Sequence, residues 1–147
     1  MTAATSKGDD DAEIRALIER RAQAVRAKDL EALVSNVAPG IRWFDLADPL
    51  QYVGSDAVRK RAEKWFSTFE TEIGYELSDV TIAAGADAAF SHCLTRVSGT
   101  TRRWRVDMWL RTTVCYRKIG GKWTVVHEHN SIPFDMDSGR ASLGLKP

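Results

Sequence analysis

The stretch from Trp104 to Ser131 limits the fold most tightly. Two alternating runs, WRVDMWLRTTVCYRKI and KWTVVHEHNS, flank Gly120-Gly121. A two-residue turn with positive φ at both central positions suits a Gly-Gly pair, so the stretch predicts a long β-hairpin. An unbroken register sets Val114 opposite His127, Thr112 opposite His129 and Leu110 opposite Ser131. Strand side chains alternate faces. One face would therefore carry Leu110, Thr112, Val114, Tyr116, Val125, His127, His129 and Ser131. The other would carry Arg105, Asp107, Trp109, Arg111, Thr113, Cys115, Glu128 and Asn130. The first face is apolar near the turn and polar toward Ser131, as in a strand that floors a pocket. A one-residue bulge would exchange these faces.

The rest of the chain supplies what the hairpin packs against. Ile14, Leu17, Ile18, Ala22 and Val25 fall at helical spacing, with Asp9 to Asp11 as candidate caps. Lys28-Asp29 breaks that helix, and Asp29 can cap a short second one through Leu30, Leu33 and Val34. Pro39-Gly40 stops it. Ile41 to Asp45 reads as a strand and Ala47 to Val53 as a loop. A third helix follows, with Ser55 as its expected N-cap and Val58, Ala62, Trp65, Phe66 and Phe69 as its apolar face. After Phe69 the period changes from 3.6 to 2. Glu72 to Leu77 and Ser78 to Ala83 read as two short strands, and Ala88 to Ser98 as a longer one. Helices segregated from a mainly antiparallel sheet define an α+β class. Residues 1–9 read as a disordered N-terminus, 10–135 as the domain and 136–147 as a polar tail.

Composition narrows the function classes. The 147 residues suit one domain. A formal net charge of +1 gives no overall signal for nucleic acid or membrane. Arg102, Arg103 and Arg105 cluster, and read as a solvated hairpin end. Cys93 and Cys115 form no CxxC pair and read as reduced, buried small residues. With no signal-like or membrane-length apolar run, the expected location is cytoplasmic.

At this level the chain, from about Asp10 to Phe134, resembles the cone-shaped α+β family. That family includes nuclear transport factor 2, ketosteroid isomerase, scytalone dehydratase and the SnoaL-like polyketide cyclases. The segment YRKIGGKWTVVHEHNSIPFD is similar to the SnoaL-like or ketosteroid-isomerase-homologue branch, whose last hairpin ends in a WxxVHxHxS stretch. The association domain of calcium/calmodulin-dependent kinase ends similarly. The resemblance implies three helices on a strongly curved sheet that encloses a pocket. It places Asp45, nine residues before Gly54, at the general base of ketosteroid isomerase. That enzyme's oxyanion tyrosine and protonated aspartate match Arg21 and Val114, neither of the required type, so steroid isomerisation by that route is not expected.

The candidate catalytic residues are Asp45, His127 and His129, expected to converge as base and acid in one hollow. Trp43, Trp65, Phe69, Thr112 and Ser131 are the candidate ligand-binding residues. His-x-His with Asp45 would give only three metal ligands and no further cluster, so neither a metal nor another cofactor is expected. Arg111 and Glu128 could pair across the strands, whereas Arg105 and Asp107 have the spacing of a solvated strand. The leading expectation is a pocket for a small apolar or aromatic molecule. It would support cofactor-free isomerisation, cyclisation, dehydration or hydrolysis. The alternative is a non-catalytic binding or oligomerisation module like the kinase association domain. In either case the exposed sheet face is expected to form a homodimer.

Overall fold

The computed structural model describes residues 7–147. Three helices come first: α1 (Lys7–Arg26), α2 (Leu30–Val34) and, after two strands, α3 (Ser55–Thr68). The strands are β1 (Val37–Phe44), β2 (Tyr52–Val53), β3 (Gly74–Ala84), β4 (Ala88–Thr100), β5 (Arg105–Ile119) and β6 (Lys122–Ser131). They form one six-stranded sheet in the order β2-β1-β6-β5-β4-β3. Every pairing is antiparallel except β1 with β6. The expected α+β cone, with helices packed on a curved sheet, is the observed architecture.

Local chemistry explains most boundaries. α1 buries Ile14, Leu17, Ala22 and Val25 along one stripe. It closes with Lys28 at φ 53, the Asp29 N–H donating to Ala24 O and the Lys28 N–H to Val25 O. Asp29 caps α2 as expected, accepting from the Ala32 N–H at 3.0 Å. α3 is capped by Gly54 rather than Ser55. At φ 92 the position before the helix favours glycine over serine, and Ser55 is pushed inside.

Other expectations shift. Met1 to Ser6 lie outside the described residues, but α1 takes in Lys7, Gly8 and Asp9. Asp10 lies within α1 and is buried; its Oδ1 accepts from Lys118 Nζ at 2.8 Å and Trp123 Nε1 at 3.1 Å. Its carboxylate thus ties α1 to the hairpin. β1 begins at Val37, and a register shift between Val37 and Arg42 accommodates Pro39, which has no N–H for the ladder. The two short strands expected over residues 72–83 are one strand, β3. A register shift between Ser78 and Thr81, with Asp79 at φ 56, bends it without ending it. Beyond the sheet, Phe134 bridges Ala141 around a turn at Asp135, whose Oδ1 accepts from the Asp137 and Ser138 N–H groups. Those donors hold the Asp135 carboxyl below its usual range.

The hairpin carries the most consequential difference. Gly120 and Gly121 lie at φ 56 and 79, as a tight turn requires. From Ile119↔Lys122 to Tyr116↔Val125 the register is the expected one. It then slips by one residue, so that Cys115 faces His127 and Val114 faces Glu128. Val126 is the extra residue on β6. Beyond it, Glu128 and Asn130 turn to the concave face of the sheet, and His127, His129 and Ser131 turn to the convex face. The physical role is curvature: a bulge bends and twists its strand, which a sheet curling around α1 and α3 needs.

Two apolar clusters hold the layers together. One gathers Ile14, Leu17, Ile41, Val58, Tyr116, Trp123 and Val125. The other gathers Val25, Phe66, Phe69, Ile73, Val97 and Leu110. The interior cavity is lined by members of both.

Candidate ligand cavity

A cavity of about 340 Å³ lies between the helices and the concave face of the sheet. That is within the range of small-molecule sites. Its wall is mainly apolar, from Ile18, Val25, Ile41, Trp43, Trp65, Val97, Leu110 and Val114 among others. Set into this wall are two carboxylates, each paired with an arginine.

The first pair lies at the end of β1. Asp45 Oδ2 accepts from Arg61 Nε at 3.0 Å, and its Oδ1 accepts from the Leu46 N–H at 2.8 Å. The Asp45 side chain is only 10% exposed. Arg61 reaches it from α3, on the same helix face as Val58 and Trp65. The second pair joins α1 to β6. Arg21 Nη1 donates to Glu128 Oε1 at 3.0 Å, with both side chains largely buried. Burial pulls the Arg21 guanidinium down, but Glu128, Tyr116 and Tyr75 together more than offset this and its pKa lies above the usual value.

Glu128 is fixed by a chain of hydrogen bonds across three strands. Asn130 Nδ2 donates to Glu128 Oε2 at 3.1 Å, and Thr112 Oγ1 donates to Asn130 Oδ1 at 2.9 Å. Thr112 has one hydroxyl proton, so in its contact with Thr95 at 2.9 Å it accepts and Thr95 donates. By the same count the Cys93 thiol donates to Thr95, with Sγ 3.6 Å from Oγ1. Burial raises the Cys93 pKa, which suits a thiol donor. The chain therefore has one direction, from Cys93 through Thr95, Thr112 and Asn130 to Glu128.

Tyr75 lines the cavity and its hydroxyl makes no hydrogen bond among the described residues. Burial, reinforced by Glu128, pushes its pKa far above the usual value, so it remains a neutral donor. Arg21 Nε and Trp43 Nε1 are buried without partners. Tyr116, by contrast, shares a hydrogen bond with Ser91 at 2.8 Å, and burial pushes its phenol up to about 12.

Three of the eight site candidates do not face this cavity because of the bulge. His127 donates through Nδ1 to Arg42 O at 2.7 Å, which fixes its tautomer. Phe44 sits edge-on to both imidazoles, with ring centroids 4.7 Å from His127 and 5.3 Å from His129. His129 is exposed. Ser131 accepts from Arg111 Nε at 3.0 Å on the same convex face. Phe69 is buried in the second cluster, edge-on to Trp65, and also does not line the cavity. Asp45, Trp43, Trp65 and Thr112 do line it. Asp45 and the histidines therefore lie on opposite sides of the sheet and cannot share a metal.

The sequence reading placed Glu128 on the wrong face and passed over Arg61 and Tyr75. Arg61 had a signal, since it falls four residues before Trp65 on the apolar side of α3. Arg111 pairs with Ser131 rather than Glu128. Asp107 forms a two-point ion pair with Arg96 at 2.8 and 2.9 Å on the exposed face. Cys93 and Cys115 are free and half-buried.

Comparison with known proteins fits this geometry. The family model described as a SnoaL-like domain matches residues 14–135. The chain belongs to the SnoaL-like domain family. Among solved structures, this SnoaL-like chain is similar to an NTF2-like protein of unknown function from Pseudomonas putida KT2440. The two are 36% identical, with 97% of this chain and all of that one covered and a TM-score of 0.90. A protein of the NTF2-like family from Streptomyces avermitilis, for which dehydratase activity has been suggested, is 16% identical. There 86% of this chain and 97% of that one are covered, with a TM-score of 0.76. A Xanthomonas campestris protein suggested to be a calcium/calmodulin-dependent protein kinase II association domain is also 16% identical, covering 89% and 91% at a TM-score of 0.71. The last two share the fold. No curated protein matches the sequence. Among the described residues, no helix is long and apolar enough to cross a membrane.

Proposed function

We propose that this SnoaL-like domain binds an apolar or aromatic small molecule and moves a proton on it without a cofactor. The reaction class would be isomerisation, dehydration, cyclisation or hydrolysis. The observation that carries this reading is the apolar cavity holding the Asp45–Arg61 and Glu128–Arg21 pairs. Each carboxylate oxygen has one donor on it and keeps a second lone pair for a substrate proton. Asp45 is the base in this reading, and Glu128 is a second carboxylate oriented by the Thr112–Asn130 chain. The Tyr75 hydroxyl and the spare Arg21 donors would stabilise negative charge that develops on a carbonyl oxygen. Trp43, Trp65 and Thr112 would shape and orient the ligand. The histidines have no part in the chemistry. The dehydratase suggested for the Streptomyces relative is one reaction of this class.

The alternative, an assembly module, would favour a cavity filled by side chains, and this one is open. The convex face supports a different proposal, a homodimer. It carries Phe90 at 46% exposure, together with the half-buried Phe44, Leu94 and Trp109. Sedimentation of the wild type against Trp109→Glu tests it: a dimer that the variant dissociates supports the proposal, and a monomeric wild type refutes it.

The catalytic reading is tested by native mass spectrometry of co-purifying small molecules, followed by turnover of the ligand found. Asp45→Asn and Glu128→Gln are each expected to lower turnover by about a hundredfold or more. His129→Ala is expected to leave it unchanged. Full activity in both carboxylate variants would refute the assignment.

A further inference from the structure

The turn between β4 and β5 is a feature that proton-transfer chemistry does not use. Trp104 lines the cavity yet is 65% exposed, so it stands where the cavity opens to solvent. Just before it, Arg102 and Arg103 are exposed and make no side-chain hydrogen bond or ion pair among the described residues. The turn is pinned from one end. The Thr101 N–H donates to Trp104 O at 2.9 Å, and Thr101 Oγ1 donates to the same oxygen at 3.0 Å. Thr101 Oγ1 also accepts from the Arg103 and Trp104 N–H groups at 3.3 and 3.2 Å. Arg105 does not belong to this group. Strand alternation puts it on the convex side with Asp107.

Two exposed arginines thus sit on a pinned turn, directly before an indole at the mouth of an apolar cavity. The indole continues the apolar wall outward and offers a face for stacking. The guanidinium groups offer planar donor forks suited to carboxylate, sulfonate or phosphate. The acidic residue that the backbone brings to this turn is Glu70, whose N–H donates to Thr100 O at 2.8 Å and whose side chain is exposed. Glu70 forms no ion pair with either arginine.

We propose that Arg102, Arg103 and Trp104 form an anion-binding subsite at the cavity mouth. The ligand is then an apolar molecule that bears an anionic group outside the reacting end. This rests on the reading of the cavity as a ligand site and adds the charge that its ligand carries. Substrate selection follows from it: the apolar body enters the cavity and the anionic end stays at the rim.

The test uses two fluorescent probes with the same aromatic body. N-phenyl-1-naphthylamine is neutral, and 8-anilinonaphthalene-1-sulfonate adds one sulfonate. Dissociation constants are measured by titration calorimetry as well as fluorescence. Arg102→Gln/Arg103→Gln is expected to weaken the sulfonate about fivefold and to leave the neutral probe within about twofold. Added salt should weaken only the sulfonate. Glu70→Gln should strengthen the sulfonate, and Arg105→Gln should change neither probe. An unchanged sulfonate constant in the double variant, or an equal loss of both probes, overturns the proposal and leaves the cavity reading intact. Loss of the sulfonate preference in Arg21→Met alone means that the anion lies deep, and also overturns it. Failure of the native protein to bind either probe overturns both readings.

Discussion

The concave face of the last hairpin buries Tyr116, Val125, Thr112 and Asn130, while the convex face of the same two strands exposes His129, Thr113 and Arg111. On the concave side Thr112, Asn130 and Glu128 belong to a network with a fixed direction. On the convex side the contacts are local and unlinked: His127 to a backbone carbonyl, Arg111 to Ser131, and Arg96 to Asp107. Two strands of one composition thus give one face that can orient a ligand and one that is free to be a surface. The residues that look chemically richest in the sequence, a pair of histidines, are on the second.

This contrast predicts a steep difference in what substitutions cost, measured by urea denaturation. The largest effect is expected for Glu128→Ala, which leaves Arg21 without its partner. Removing one member of a fully buried ion pair costs about 3–5 kcal/mol; the residual exposure of this pair lowers the expectation to about 2–3 kcal/mol. A loss below about 1 kcal/mol would mean that the pair does not hold α1 to β6. Next is Thr112→Val, which keeps the shape but breaks the chain to Asn130, with an expected loss of about 1–2 kcal/mol. The matched change one residue along, Thr113→Val, should stay within about 0.5 kcal/mol.

How much of this was legible in the sequence follows from the same strands. The Gly-Gly turn, the α+β order and the α1 and α3 faces could be read because local period and turn chemistry determine them. The correct pairing of Tyr116 with Val125 was also legible, because the turn sets it. The slip at Val126 was not. Alternation in VVHEHNS is equally regular in either phase, so no local signal tells which set faces inward. The choice depends on how sharply the sheet must curl around the helices, which is a property of the whole domain. Asp45 was found through the family resemblance, which implies a general base nine residues before the position of Gly54. Tyr75 was missed because nothing near it in sequence announces that β3 bounds the cavity.

Alkaline pH gives a smaller effect on the same comparison. Burial raises both concave-face phenols above the ordinary value of 10.0, Tyr116 to about 12 and Tyr75 further. The folded state therefore holds these protons more tightly than the unfolded state does. Their contribution is fully present below about pH 10 and is lost as pH rises through about 10 to 12. Melting temperature should fall across that window. Tyr75→Phe should flatten the fall while changing stability at neutral pH by less than about 1 kcal/mol, since its hydroxyl has no partner among the described residues. An unaltered alkaline limb in that variant would show that Tyr75 is not buried as described. The smallest effect is expected for His129→Ala on the convex face, within about 0.5 kcal/mol at neutral pH.

The register of β5 against β6 beyond the bulge decides which residues look into the cavity. Directly opposed side chains in an antiparallel pair have Cβ atoms about 4.5–5.5 Å apart, within reach of nuclear Overhauser contacts. In a spectrum of methyl-labelled protein, the Val114 methyl groups should show contacts to the Glu128 side chain and none to the His127 ring. Strong contacts from Val114 to the His127 ring, with none to Glu128, would mean that β6 runs without its bulge, and would put the imidazoles rather than Glu128 inside the cavity.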